Sequence, residues 1–138
     1  MLKSLYISNY ALISELHIDF NKGFSVLTGE TGAGKSIILG ALSLILGQRA
    51  ETKAINNEAE KCIIEAEFNL ADYPSLSSFF KSNDLDFNYL NSCIIRREIT
   101  NNGKSRAFIN DTPVSLLVLR ELTTRLIDIH SQHDNLLL

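Results

Sequence analysis

The chain has 138 residues, with 13 Lys and Arg against 16 Asp and Glu for a net charge of −3, and is 45% hydrophobic. That is one domain's worth of chain, too apolar to stay disordered, and its mild acidity excludes binding a polyanion through net charge alone. Two cysteines, Cys62 and Cys93, are too few for a disulfide framework or a zinc finger and suit small, reduced core residues.

Residues 1–10 lack the apolar block of a secretory signal. The longest apolar stretch, 37–46, is interrupted by Gly40 and Ser43 and falls short of the roughly 20 residues a bilayer requires. A cytoplasmic chain with no membrane partner is expected.

Leu2, Leu5 and Ile7, then Leu16, Ile18 and Phe20, alternate as two short strands about a turn at Ser8-Asn9-Tyr10. After a second turn at Asn21-Lys22-Gly23, residues 24–28 read as a strand running straight into a glycine-rich loop. Apolar residues from Ile37 to Leu46 go almost all the way round a helix, which predicts an element buried on most sides, with Gly47 as its stop. The polar segment 51–61 is a loop within the domain. Residues 62–70 alternate as a strand, with Ile64, Ala66 and Phe68 on one face and Glu65 and Glu67 on the other, and Pro74 opens a short helix through Phe80. Two strands, 92–100 and 104–110, meet at Asn101-Asn102-Gly103, the strongest hairpin signal in the chain. Thr112 and Pro113 read as N-cap and first turn of a helix to about Thr124, in which Leu116, Leu119 and Leu122 recur at helical spacing. Residues 126–129 read as a last short strand.

Gly29-Glu30-Thr31-Gly32-Ala33-Gly34-Lys35-Ser36 fits G-x-x-x-x-G-K-[ST] between a predicted strand and a predicted helix. The glycines permit a tight backbone whose N–H groups converge on a phosphate at a helix N-terminus, where the dipole also favours negative charge. Lys35 then reaches the β- and γ-phosphates and the Ser36 hydroxyl holds Mg²⁺. The bland alternative is a glycine-rich turn that happens to precede a lysine. A P-loop enzyme also requires a carboxylate at the end of a second buried strand. Asp128 is the nearest candidate, but Arg125 interrupts the run before it, and an ordinary strand-end or capping role is the simpler reading.

Five blocks carry a resemblance: Asn9-Tyr10-Ala11-Leu12-Ile13; residues 28–37 with the P-loop; Leu46-Gly47-Gln48-Arg49-Ala50; Arg96-Arg97-Glu98-Ile99 with residues 103–110; and Asp128-Ile129-His130-Ser131-Gln132-His133. In this order they resemble the RecN family of bacterial DNA repair proteins, SMC-like ATPases whose heads are of the ABC type. Ser131 and Gln48 stand where the family carries glycine, and neither is a phosphate-contacting position.

The resemblance implies an α/β P-loop NTPase fold in which residues 1–138 form the N-terminal lobe of an ABC/SMC-type ATPase head. An antiparallel strand group would pack beside the start of a parallel P-loop core, with the coiled coil and C-terminal lobe absent from the chain. The implied cofactors are ATP and Mg²⁺. Gly29, Glu30, Thr31, Gly32, Ala33, Gly34, Lys35, Ser36 and Ile37 would bind the nucleotide. Lys35 and Gln132 would act in catalysis, Gln132 as the glutamine of a Q-loop around 130–134, and Ser36 and Gln132 would hold the metal. Gln132 suits that task because its amide offers both an acceptor and a donor. Implied partners are DNA, the C-terminal lobe of the same protein and a second copy joined through ATP-sandwiched heads, at the nucleoid. The implied function is double-strand break repair and recombination, with hydrolysis awaiting the second lobe and head dimerisation.

Other residues leave alternatives open. His130, His133 and Asp134 are weak as zinc ligands and fit solvated loop residues around Gln132. Arg96, Arg97, Lys104 and Arg106 gather on the predicted hairpin, either as a basic edge facing DNA or nucleotide or as a charged, soluble edge. Arg49 resembles a position where SMC-like heads carry basic residues near the nucleotide or DNA, and equally suits a surface arginine at a helix end. Two other functions compete: a self-contained small P-loop NTPase or kinase using Asp128, and a non-catalytic DNA-binding or dimerisation module.

Overall fold

The computed structural model describes residues 2–20, 32–50, 61–71, 73–87 and 92–133, with 32–33 and 127–133 described by backbone. Its sheet follows from alternation. β3 (Lys61–Asn69) buries Cys62, Ile64, Ala66 and Phe68, and β4 (Ser92–Thr100) buries Cys93, Ile95, Arg97 and Ile99. Each strand therefore gives one face to the core and the other to charged side chains.

With β1 (Leu2–Tyr10), β2 (Ile13–Asp19), β5 (Ser105–Ile109) and β6 (Thr112–Val114), these strands form a six-stranded sheet in the order β2-β1-β3-β4-β5-β6. Every pairing among the described strands is antiparallel. The parallel core expected beside this group depends on residues 24–28, which lie outside the described residues, as does most of the expected loop 51–61.

α1 (Gly32–Ile45) lies on β3 and β4 and buries Ile38, Ala41, Leu44 and Ile45. It is buried or half-buried on most sides, as its apolar composition predicts; between Ile37 and Leu46 Leu39 alone is exposed, at 51%. Gly47, at φ 96°, closes the helix in a Schellman arrangement, with Gln48 N donating to Ser43 O at 3.1 Å and Gly47 N to Leu44 O at 3.1 Å. A 3₁₀ turn at Pro74–Leu76 leads into α2 (Ser77–Ser82), whose Phe79 and Phe80 enter the core beside Leu76.

The segment after β4 differs most from expectation. The Asn101-Asn102-Gly103 turn forms as read, with Gly103 at φ 91° and Thr100 N donating to Lys104 O at 2.8 Å. Thr112 and Pro113, however, are paired in β6 and do not start a helix. Asn110 and Asp111, at φ 48° and 67°, make a two-residue turn between β5 and β6, the positive-φ pair that a tight hairpin needs. Pro113 is tolerated because β6 is an edge strand. Helix α3 (Leu116–His133) begins after Ser115, whose Oγ accepts from Val118 N at 3.2 Å, and it buries Leu119, Leu122 and Leu126.

Residues 126–129, expected as a strand, are a continuation of α3. No Gly or Pro interrupts the chain between Ser115 and His133, and Leu126 extends the apolar spacing of Leu119 and Leu122 by one more turn. Residues 130–133 are likewise the last helical turn of α3, where a loop was expected. At the other end of the sheet, β1 runs through Ser8-Asn9-Tyr10, and the turn falls one step later at Ala11-Leu12. Cys62 and Cys93 are free and buried, as expected of core residues.

Candidate functional site

The P-loop segment meets the described structure at the start of α1. Gly29, Glu30 and Thr31 lie outside the described residues, and Gly32 and Ala33 are helical by backbone. Gly34 and Ile37 are half-buried, whereas Lys35 and Ser36 project exposed from the first turn. No acidic residue sits in that turn to compete for an anion. A helix start with a lysine, a hydroxyl and no carboxylate suits phosphate oxygens and a phosphate-bound Mg²⁺.

The opposite end of the same helix is held by three side chains. Arg97, on β4, is fully buried and donates through Nη1 to Leu44 O at 2.8 Å and Gln48 O at 2.9 Å, and through Nη2 to Ser105 Oγ at 2.6 Å. Burial pulls its pKa below the ordinary arginine value and the nearby Arg120 adds to the effect, but the negative end of the α1 dipole favours the cation. Its Nε is the one buried side-chain N or O atom among the described residues without a hydrogen-bond partner. From α3, Arg120 Nε donates to Gly47 O at 2.8 Å and Thr123 Oγ1 to Leu46 O at 3.1 Å.

Of the two readings of the hairpin cations, the basic edge does not form as a group. Arg97 points into the core. Arg96 points to the open face, where its Nε pairs with Glu98 at 3.1 Å and its Nη1 with Asp111 at 2.9 Å and Glu65 at 3.8 Å, above the Phe108 ring. Lys104, Arg106 and Arg49 are exposed. The roles of Arg97, Arg120 and Thr123 were not read from the sequence. For Arg97 the signal was present, since Cys93, Ile95, Arg97 and Ile99 share one phase of a strand.

Gln132 lies in the last turn of α3, as do His130 and His133, and Asp134 lies outside the described residues. Asp128 is inside α3 and not at a strand end, which removes the geometry that a second-strand carboxylate requires. Among the described residues no cluster of His, Cys, Asp or Glu is placed to hold a metal, and no helix is long and apolar enough to cross a membrane.

The model of the AAA domain family matches residues 4–138, and the chain belongs to that family. Within it, the chain is 43% identical over 139 residues to the DNA repair protein RecN of Haemophilus influenzae, covering 100% of this chain and 25% of that protein. It is 40% identical over 138 residues to RecN of Bacillus subtilis, covering 100% of this chain and 24% of that protein. The resemblance carried by the five sequence blocks thus extends along the whole chain, which spans about a quarter of the length of these curated relatives.

Among solved structures, an SMC ATPase from work on ATP-driven dimerisation and DNA-stimulated activation aligns with a TM-score of 0.69 at 22% identity, over 91% of this chain and 79% of that one. The SMC head domain of Thermotoga maritima aligns at 0.59 and 18% identity, over 88% of this chain and 41% of that one. The recombination mediator RecF with ATP aligns at 0.54 and 15% identity, over 83% of this chain and 27% of that one. The fold is that of an SMC-type ATPase head.

Proposed function

We propose that the chain is the ATP-binding lobe of an SMC-like ATPase head acting in DNA double-strand break repair and recombination. The observation that carries this is the P-loop sequence at the start of α1, in a chain similar to RecN over its full length. In this reading residues 29–37 cradle the phosphates, Lys35 places its ammonium on the β- and γ-oxygens, and the Ser36 hydroxyl holds Mg²⁺. The metal, when bound, neutralises phosphate charge. Gln132, at the far end of α3, supplies an amide that both accepts and donates near the metal and the attacking water.

Residues 1–138 would then be one lobe, hydrolysis would await a second lobe and the pairing of two heads around ATP, and DNA would be met by the longer protein at the nucleoid. A self-contained NTPase finds less support, since Asp128 sits in a helix. A DNA-binding module also finds less, since Arg97 is buried and Arg96 is ion-paired.

The test is a calorimetric titration of this chain with Mg-ATP beside Lys35→Ala, after circular dichroism has verified that both are folded. Binding lost in the variant is the expected result, and equal affinity overturns the site. Lys35-dependent turnover by the chain alone would overturn the requirement for a second lobe.

A further inference from the structure

The last carbonyls of a helix find no partner within it, and at an exposed end water can satisfy them. At the C-terminus of α1 the Schellman turn takes Ser43 O and Leu44 O, and other elements add donors to Leu44 and to the three residues just past the helix: Leu44 and Gln48 receive Arg97 of β4, Leu46 receives Thr123 of α3, and Gly47 receives Arg120 of α3. The α3 contacts are specific in shape. The Arg120 stem crosses Gly47 so closely that a Cβ there would lie 2.5 Å from its Cγ. Thr123 is buried, and its hydroxyl reaches both Leu46 O at 3.1 Å and its own helix's Arg120 O at 3.2 Å. α1 rests on β3 and β4 while α3 rests on β5, and these hydrogen bonds tie α3 to the turn that ends α1.

We propose that Arg120 and Thr123 are positioning residues that fix the helix carrying Gln132 relative to the helix carrying Lys35 and Ser36. This rests on the nucleotide-site reading above. Gln132 lies about 13 Å along α3 from Thr123, and Ser36 lies about 15 Å along α1 from Leu46. A tilt of about 10° at the junction moves either far end by about 2 Å, enough to break a hydrogen bond to a nucleotide or an oxygen–metal ligand bond. The phosphate-binding turn itself, carried on α1 and held by Arg97, stays in place. Loosening the junction therefore impairs turnover and spares ATP affinity.

The test compares Thr123→Val, Thr123→Ser and Arg120→Met in the native full-length protein, alone and combined with Gln132→Ala. Hydrogen exchange in the nucleotide-free protein should accelerate about tenfold at amides 124–133 in Thr123→Val and Arg120→Met, while β3 and β4 amides keep their rates. In the same variants kcat should fall about tenfold with KM within about twofold, and Thr123→Ser should recover both exchange and turnover relative to Thr123→Val. On the Gln132→Ala background the losses in kcat should vanish, because the junction acts through that residue.

Unchanged exchange at 124–133 overturns the proposal, as does acceleration spread equally over β3 and β4, or a kcat loss that persists in full without Gln132. Accelerated exchange in a protein whose wild type shows no Lys35-dependent turnover would instead overturn the nucleotide-site reading, and with it the catalytic purpose of the junction.

Discussion

Arg97 Nη1 sits 2.8 Å from the carbonyl oxygen of Leu44, joining the middle of the sheet to the end of the P-loop helix through a guanidinium with no solvent exposure. Ordinarily a buried cation is paired with a carboxylate; this one is held by helix-end carbonyls and the Ser105 hydroxyl. Its removal leaves the Leu44 and Gln48 carbonyls without these donors, one of them in the core. Arg97→Met should therefore cost about 3 kcal/mol despite its similar volume, and Arg97→Lys should cost nearly as much, since an ammonium cannot reproduce the planar fork. Urea midpoints at constant slope measure this, and a loss below about 1 kcal/mol would mean that water replaces the fork.

Gly40 faces Tyr10 so closely that a Cβ at this position would overlap the Tyr10 hydroxyl, while the ring carbon that bears the hydroxyl would remain at 3.4 Å. The two effects of Gly40→Ala oppose each other. Alanine improves helix propensity by about 1 kcal/mol, and the overlap costs more than that unless the ring moves. Gly40→Ala should destabilise by about 1 kcal/mol in the native background and become neutral or stabilising with Tyr10→Phe. A double-mutant cycle showing additive changes would indicate that Tyr10 swings away without cost.

Much of this fold is legible in the sequence where a single physical signal decides. Alternation located β3 and β4, Asn102-Gly103 located the turn after β4, and Gly47 marked the end of α1. The misplacements occur where two signals compete. Thr112-Pro113 satisfies the rules for a helix start, yet Asn110-Asp111 just before it satisfies those for a tight hairpin, and pairing with β5 favours the hairpin. Leu126-Ile127-Asp128-Ile129 is too short for periodicity to separate strand from helix, and the preceding helix extends through it. For the candidate site, the motif named Lys35 and Ser36. The grip of Arg97, Arg120 and Thr123 on α1 was hidden, because it depends on which strand and which helix lie beside Leu44, Leu46 and Gly47.

The start of α3 offers a direct comparison of those two signals. Ser115 Oγ accepts from Val118 N, and Ser115 O accepts from Leu119 N at 3.0 Å, the arrangement of an N-cap, whereas Thr112 is exposed on an edge strand. Ser115→Ala should cost about 1 kcal/mol and Thr112→Ala less than about 0.5 kcal/mol. The reverse order in thermal unfolding would place the helix start at Thr112.

The buried thiols set a limit at high pH. Burial pushes Cys62 up to about 11, with the Arg97 charge partly opposing, and burial pushes Cys93 up to about 12, against an ordinary value of 9.0. Unfolded thiols ionise from about pH 9 while folded ones remain neutral, so the unfolded state is favoured as pH rises through this window. Stability contributed by the neutral thiols is complete below pH 9 and is lost toward pH 11 to 12, at up to about 1.4 kcal/mol per pH unit for each thiol. Tyr10, also raised by burial and then by Cys62, adds a loss of the same sign starting from its ordinary value of 10.0. Melting temperatures should be level from pH 7 to about 8.5 and fall steeply above pH 9, and the slope should be shallower in Cys62→Ala/Cys93→Ala even if that variant starts lower. Equal slopes in the two proteins would assign the alkaline transition to other groups, and rapid alkylation of Cys93 at pH 8 in the folded chain would contradict its burial.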